Sequence, residues 1–147
     1  MPTSASVMLF DTSAALAFVD VDNPLHESVW AASSKTRRGL SGHAASEFLS
    51  VLTRLPLPKR LSGADARRLM KIEFPDSRYL PADVMDALLD EFASSGIGGG
   101  MVYDGLVGAC ARHHDMLLLS CGRRAEDVYR LLGVRYQLIV AEDGAHA

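Results

Sequence analysis

Short runs of consecutive apolar residues, each followed by a segment with helical periodicity, constrain the fold of this chain most strongly. The runs at residues 7–10 (Val-Met-Leu-Phe) and 116–119 (Met-Leu-Leu-Leu) show no alternation of apolar and polar side chains. Such runs are typical of strands that are buried on both faces, as in parallel sheets covered by helices on each side. The sequence therefore predicts an α/β fold with a mainly parallel sheet.

Turn-forming and helix-stopping residues divide the rest of the chain into further elements. The predicted strands are residues 7–10, a short strand ending at 40–41, and residues 77–80, 116–120 and 136–140. The predicted helices are residues 12–19, 25–33, 43–55, 64–74, 81–94, 102–113 and 125–132. No repeat, low-complexity tract or linker interrupts this order, so residues 1–147 are expected to form a single domain.

Composition restricts the class of protein and its compartment. Apolar residues make up 48% of the chain and charged residues 22%, which is typical of a soluble globular protein. No apolar run approaches the roughly 18 residues that cross a bilayer, and the N-terminal residues 1–6 make a poor secretory signal. The two cysteines, Cys110 and Cys121, fit no disulfide or metal framework. We therefore expect a cytoplasmic protein with no membrane segment, in which both thiols are small core residues.

The net charge of −3 gives no whole-chain electrostatic argument for nucleic-acid binding. Basic residues nevertheless occur as adjacent pairs, namely Arg37-Arg38, Lys59-Arg60, Arg67-Arg68 and Arg123-Arg124. Solvated surface is the ordinary interpretation of each pair. A fold could also gather some of them around an acidic pocket.

Asp11 is the first of three carboxylates placed where chemistry is plausible. It directly follows the apolar run 7–10 and precedes a helical segment. In open α/β sheets, ligands bind at the carboxyl ends of the strands, where Asp11 falls. Asp is also a common helix N-cap, so position alone leaves a site residue and a cap equally open.

Glu47 and Asp104 are the other two candidates. Glu47 shares a helical face with Ala44 and Val51, so its carboxylate lies near an apolar stripe and needs a partner, either in a site or in a salt bridge to Arg54 or another arginine. Asp104 follows a glycine-rich loop and has Gly108 one turn later, which leaves room for a ligand or backbone; a helix cap is the alternative. If the fold brings the three together, their repulsion calls for a divalent cation, and Mg²⁺ prefers such oxygen ligands.

At these residues the sequence resembles the PIN-domain family and, within it, the VapC-type ribonuclease toxins of bacterial type II toxin–antitoxin systems. The resemblance covers nearly the whole chain, in the order of the family. It rests on residues 11–17, 46–49, 103–109, 117–120, 123–125 and 129–134. It implies a three-layer α/β/α sandwich and an endoribonuclease that depends on Mg²⁺ or Mn²⁺. It also implies structured RNA (tRNA or rRNA) as the substrate, a cognate antitoxin that neutralises the enzyme, and a homodimer.

Carried over by position, the resemblance implies that Asp11, Glu47 and Asp104 form the catalytic and metal-binding site. Asp11 and Asp104 would be direct metal ligands, while Glu47 would bind the metal, directly or through water, or orient the attacking water. The metal would stabilise charge on the scissile phosphate and lower the pKa of a bound water. Ser13 and Ser120 are weaker candidates for a contact to phosphate or water, and a turn cap is the alternative for either.

The chain departs from the family after the penultimate predicted strand. A fourth acidic residue is usual there in a Thr/Ser-x-Asp pattern, but this chain reads Ser120-Cys121-Gly122. The missing carboxylate weakens a second metal site, and Asp127 is a conceivable substitute. The alternative function is therefore a catalytically impaired PIN-like module that binds antitoxin or RNA.

Three other patterns in the sequence give weaker indications of function. The adjacent His113 and His114 project in different directions and suit a helix C-terminus better than a metal site. The glycines at residues 98–100 lack the lysine and spacing of a phosphate-binding loop. A phosphatase-like enzyme with Asp11 as nucleophile would favour a second Asp at the position of Ser13.

Overall fold

The computed structural model describes residues 6–141, in which helices and strands alternate much as the sequence predicts. The strands are β1 (Val7–Phe10), β2 (Arg37–Leu40), β3 (Leu117–Ser120) and β4 (Tyr136–Leu138). The helices are α1 (Thr12–Val19), α2 (His26–Ser33), α3 (His43–Leu52), α4 (Gly63–Glu73), α5 (Ala82–Ser95), α6 (Met101–His113) and α7 (Arg123–Leu131). The N-terminal segment that was compared with a secretory signal lies, apart from Ser6, outside the described residues.

The four strands form one parallel sheet in the order β2-β1-β3-β4. The central strand β1 pairs Val7 with Arg37 of β2 on one side and Met8 with Leu117 of β3 on the other. The predicted parallel α/β fold is confirmed.

Helices cover both faces of the sheet. Met8 and Phe10 of β1 pack with Leu119 of β3 against α1, α2, α3 and α4. The intervening Leu9 and Leu118 pack on the opposite face against α5, α6 and α7. Because successive strand residues point to opposite faces, the central strands β1 and β3 carry apolar residues on both faces. The predicted three-layer α/β/α sandwich is therefore confirmed.

The predicted strand at residues 77–80 is wrong, since only an isolated parallel bridge joins Ser41 to Arg78. The backbone of this segment does approach β2, and the Asp76 and Arg78 N–H groups donate to the carbonyls of Arg38 and Leu40. The Leu40 N–H, however, donates to the side-chain hydroxyl of Ser77 instead of to a backbone carbonyl. This side-chain contact replaces a ladder hydrogen bond, so no regular strand forms.

The carboxyl edge of the sheet brings together the starts of several helices. The Asp11 N–H donates to the Leu119 carbonyl at 3.1 Å, so the first residue after β1 adjoins the end of β3. The Ser41 hydroxyl, just after β2, donates to the Val107 carbonyl of α6 at 2.7 Å. Residues near the beginnings of α1, α6 and α7 and in the middle of α3 thereby face one region.

The described residues also bear on the cysteine and membrane predictions. Cys110 is fully buried, whereas Cys121 is partly buried and packs against the core on the α1 face of the sheet. None of the helices between residues 6 and 141 has the length and apolar character needed to cross a membrane.

Candidate active site

A cleft of about 290 Å³ opens at the carboxyl edge of the sheet, and all three candidate carboxylates line it. Asp11 comes from the start of α1, Glu47 from the middle of α3 and Asp104 from the first turn of α6. The other lining residues are Thr12, Ser13, Leu16, Val107, Gly122, Arg124, Ala125 and Tyr129. The fold therefore gathers side chains that are far apart in the sequence.

Asp11 is both the N-cap of α1 and a lining residue of the cleft, so its two interpretations are compatible. Its Oδ1 atom accepts hydrogen bonds from the Ala14 N–H at 3.0 Å and from the Ser13 hydroxyl at 2.6 Å. Its Oδ2 atom accepts from the Tyr129 hydroxyl at 2.9 Å. The residue is only 5% exposed, and these donors compensate for burying its charge.

Glu47 is half-buried at the edge of the cleft, and the Thr12 hydroxyl donates to its Oε1 atom at 3.3 Å. Among residues 6–141, Glu47 makes no salt bridge to Arg54 or to another arginine, which the sequence left open. The carboxylate of Glu47 instead lies beside the start of α1, close to Asp11.

Asp104 is not a helix cap, because Gly100 occupies the N-cap position of α6 and Asp104 follows in the first helical turn. Burial raises the pKa of the Asp104 carboxyl, and the negative charges of Glu47 and Asp11 raise it further. The nearby guanidinium of Arg124 lowers this pKa in part. Glu47 and Asp11 are therefore close enough to Asp104 for their charges to act on its carboxylate.

Tyr129 is a site residue that the sequence analysis missed. It is 1% exposed on α7, and its hydroxyl reaches Asp11 from the far side of the sheet. Burial raises the pKa of its phenol, and the negative charge of Asp11 adds to this effect, so the phenol stays protonated and donates. In the sequence Tyr129 is only one apolar position of an amphipathic helix. The one available signal was Gly108, which was predicted to leave room beside α6. The Tyr129 ring fills that room, since a Cβ atom on Gly108 would lie 2.8 Å from its Cδ1 atom.

Comparison with known proteins identifies the family. A family model described as the PIN domain matches residues 8–131, which is most of the chain. The chain belongs to the PIN-domain family. This PIN domain is 37% identical over 124 residues to Ribonuclease VapC27 of Mycobacterium tuberculosis, covering 84% of the chain and 90% of that protein. It is 36% identical over 118 residues to Ribonuclease VapC40 of the same species, covering 78% and 87%.

The fold of the PIN domain matches solved structures at lower identity. It superposes on VapBC2 from Rickettsia felis, solved bound to a DNA fragment from their promoter, with a TM-score of 0.63. The match covers 90% of this chain and 98% of that chain at 12% identity, so it bears on the fold alone. The resemblance to VapC-type PIN domains that the sequence indicated is confirmed.

Two serines and a glycine of this PIN domain tie the end of β3 to the site. Ser13 donates to Asp11 and accepts from the Cys121 N–H at 2.9 Å. Ser120 is fully buried, accepts from the Gly122 N–H at 3.0 Å and does not line the cleft. Ser120 therefore supports the loop after β3, and Ser13 is the serine that faces the cleft.

Gly122, which replaces the fourth acid, lines the cleft as the N-cap of α7. Asp127 is exposed and does not line the cleft, because it projects from α7 on a different side from Ala125 and Tyr129. The suggestion that Asp127 substitutes for the missing acid is wrong. Within the described part of the PIN domain, three carboxylates line the cleft.

The donor chemistry of the cleft fits a divalent cation held partly by water. Among residues 6–141, no three His, Cys, Asp or Glu side chains lie close enough together to surround one ion. Mg²⁺ commonly uses one or two carboxylates and keeps water or substrate oxygens in its other positions, so it does not need such a cage. The repulsion that raises the pKa of Asp104 is the electrostatic condition that a bound cation would relieve.

One basic residue of the four predicted pairs, Arg124, lines the cleft of the PIN domain. Several of the others form surface ion pairs, namely Arg37 with Asp76, Arg38 with Glu73, Lys59 with Asp20 and Asp22, and Arg68 with Asp65. Arg124 makes no ion pair within residues 6–141 and is exposed at the rim. Its guanidinium is therefore available to a phosphate at the entrance to the acidic cleft.

Proposed function

We propose that this PIN domain is a toxin ribonuclease that hydrolyses phosphodiester bonds in structured RNA, such as tRNA or rRNA, with Mg²⁺ or Mn²⁺. The observation that carries the proposal is the convergence of Asp11, Glu47 and Asp104 from three helices on one cleft, with Arg124 at its rim. The names of its relatives, Ribonuclease VapC27 and Ribonuclease VapC40, support the same reaction.

The chain would divide the work between metal binding and substrate positioning. Asp11 and Asp104 would hold the divalent cation, which when bound stabilises charge on the scissile phosphate and lowers the pKa of a bound water. Glu47, oriented by the Thr12 hydroxyl, would orient the attacking water and accept its proton. Arg124 would bind a phosphate oxygen of the RNA and place the strand over the carboxylates.

The proposal includes a cognate antitoxin, a homodimer and a cytoplasmic location. The antitoxin is proposed because the relatives of the chain, Ribonuclease VapC27 and Ribonuclease VapC40, are VapC-type proteins. A protein that neutralises the toxin would do so by covering the acidic cleft or by excluding RNA from its rim. The homodimer follows from the VapC-type resemblance.

A second candidate function is a PIN-like module that binds antitoxin or RNA and cleaves poorly. Gly122 favours this candidate, because it stands in the cleft where the family usually has an acid. Without that carboxylate the cleft has fewer ligands for a second metal ion and less negative charge to attract the first.

Cleavage of labelled structured RNA in Mg²⁺ or Mn²⁺ separates the two candidates. The test compares the wild type with Asp104→Ala and Gly122→Asp, and uses Asp127→Asn as a control because Asp127 is exposed outside the cleft. The proposed function predicts metal-dependent cleavage by the wild type and by Asp127→Asn, and none by Asp104→Ala. Cleavage by Gly122→Asp alone identifies the chain as the impaired form. Cleavage that survives Asp104→Ala overturns the proposed site.

A further inference from the structure

The hydrogen bond from Tyr129 to Asp11 connects the two helical layers of the protein at the end of the sheet. Asp11 caps α1, which packs on one face of the sheet, whereas Tyr129 belongs to α7 on the other face. The two residues are 118 positions apart in the chain, and the O–O distance is 2.9 Å. Both residues are almost fully buried, and both also line the cleft.

We propose that Tyr129 is a positioning residue that holds the Oδ2 atom of Asp11 in the orientation that binds the divalent cation. This inference rests on the proposed function, because it assigns a second contact to one of the carboxylates that would hold the metal. Tyr129 acts through Asp11 and does not itself touch the cation.

The two oxygens of Asp11 are held by donors of different origin. Oδ1 accepts from Ser13 and from the Ala14 N–H, which belong to the same helical turn as Asp11. Oδ2 accepts, within residues 6–141, from Tyr129 alone. A carboxylate held at one oxygen can still tilt about that oxygen, so the tyrosine is the contact that fixes the plane of the group. A carboxylate oxygen offers about two lone-pair directions, so Oδ2 retains one for a cation.

A phenol suits this position because it is a neutral donor. A lysine or arginine beside Asp11 would place a positive charge where the cation binds and would compete with it. Tyr129 stabilises the ionised carboxylate through an O–H dipole and adds no net charge to the cleft. Groups that orient metal ligands in this way commonly contribute to metal affinity.

The position of the tyrosine ring is itself set by close packing. A Cβ atom on Gly108 of α6 would lie 2.8 Å from the Cδ1 atom of Tyr129 and 3.1 Å from the Cγ2 atom of Val134. The absence of a side chain at Gly108 therefore lets the ring lie against α6. Because the ring is enclosed on this side, its hydroxyl has little freedom to move away from Asp11.

Calorimetric titration of the RNA-free protein with Mn²⁺ tests the inference without a measurement of cleavage. The main variant is Tyr129→Phe, which removes a single oxygen and keeps the ring. Tyr136→Phe is the matched control, because the Tyr136 hydroxyl donates to Glu126 at 2.7 Å outside the cleft. Val128→Ala serves as a second control, since it truncates a buried neighbour on the same helix and lowers stability without touching Asp11.

We expect Tyr129→Phe to weaken Mn²⁺ binding by about 10- to 100-fold, the range seen when a group that orients a metal ligand is removed. Tyr136→Phe and Val128→Ala should bind Mn²⁺ like the wild type, although Val128→Ala should melt at a lower temperature. Gly108→Ala provides a second perturbation. It keeps the Tyr129 hydroxyl group but displaces the ring that carries it. It should weaken Mn²⁺ binding in the same direction.

The remaining outcomes distinguish this inference from the proposed function. Wild-type affinity in both Tyr129→Phe and Gly108→Ala, with Mn²⁺ binding intact, overturns the positioning role and leaves the ribonuclease proposal standing. An equal loss of affinity in Val128→Ala also overturns it, because the effect then follows stability rather than the hydroxyl. Absence of Mn²⁺ binding in the wild type and in Gly122→Asp overturns the metal site itself, and this inference with it.

Discussion

Gly122 faces Ser13 across the cleft, where a Cβ atom added to Gly122 would lie 3.6 Å from the Ser13 hydroxyl oxygen. The same atom would lie 3.6 Å from the Ser120 hydroxyl oxygen, and both distances are ordinary van der Waals contacts. The backbone at Gly122 has a φ angle of −98°, which any L-residue adopts. A side chain can therefore enter the cleft at this position without strain.

We predict that Gly122→Asp increases Mn²⁺-dependent RNA cleavage and tightens Mn²⁺ binding, because it adds a fourth carboxylate to the cleft. Gly122→Asn is the matched control, since it supplies the same side-chain cap to α7 without the charge. The measurements are initial cleavage rates across a range of Mn²⁺ concentrations, together with calorimetric titration. Equal rates for the Asp and Asn variants would contradict the prediction.

Arg124→Gln should weaken RNA binding, because it removes the cation at the rim of the cleft. A hydrogen bond to a charged phosphate contributes about 1.5 kcal/mol, so we expect the KM for RNA to rise about tenfold. The slope of log affinity against log salt concentration should also fall by about 1. Arg123→Gln is the control, because Arg123 is an exposed neighbour that does not line the cleft. The same change in both variants would show that only the net charge matters.

The ion pair between Glu91 and Arg112 should make the stability of the fold depend on pH. The two Arg112 Nη atoms lie 3.0 Å and 2.9 Å from the carboxylate oxygens of Glu91, and this contact lowers the Glu91 pKa. Because the folded pKa lies below the unfolded value, the stabilisation is present above the unfolded pKa. It is lost as the pH falls through the folded pKa.

Glu91→Gln should therefore lower the free energy of unfolding at neutral pH, and the difference from wild type should disappear in acid, below the lowered folded pKa of Glu91. The side chains are 40% and 35% exposed, so solvent screening limits the expected loss to about 0.5 kcal/mol. Urea unfolding of both proteins at neutral pH and in acid measures this difference in the free energy of unfolding. Asp90→Asn is the control, because Asp90 is an exposed neighbour on α5 that makes no ion pair among residues 6–141. A loss for Glu91→Gln that persists unchanged in acid would mean that the charge is not its cause.

Both cysteines should resist alkylation in the folded protein. Burial raises the pKa of Cys110 to about 11, while burial and the negative charge of Asp11 raise that of Cys121 to about 12. Only the thiolate reacts, so at about pH 8 iodoacetamide should modify the folded protein about 100-fold more slowly than the urea-unfolded chain. Mass spectrometry of timed samples counts the modified thiols. Rapid modification of either cysteine before unfolding would show that its burial is transient.

The layered fold could be predicted because it depends on strand composition. Leu9 and Leu118 face one helical layer while Met8, Phe10 and Leu119 face the other, so β1 and β3 show apolar runs without alternation. The strand predicted at residues 77–80 failed for a reason that no local pattern contains. The Ser77 hydroxyl oxygen accepts the hydrogen bond from the Leu40 N–H that a backbone carbonyl would accept in a regular strand.

The candidate site could be predicted only in part. Asp11, Glu47 and Asp104 stood out because each carboxylate lay at a strand end, on an apolar stripe or after a flexible loop. Tyr129 did not stand out, since a tyrosine on the apolar face of a helix is ordinarily a core residue. Its hydroxyl became part of the site only when the sheet brought α7 and the start of α1 to the same edge from opposite faces.

The sequence by itself determined the alternation of strands and helices, the burial of the sheet on both faces and the residues that carry the family resemblance. These features depend on neighbours along the chain, through the periodicity of apolar side chains and the turn residues between them. The tertiary structure alone decided that Asp104 is not a cap, that Glu47 meets Thr12 instead of Arg54, that Arg124 reaches the rim and that Tyr129 holds Asp11. Apart from the start of α6, these outcomes depend on contacts between elements distant in sequence. Such contacts are decided by how the helices pack on the sheet, which local patterns do not specify.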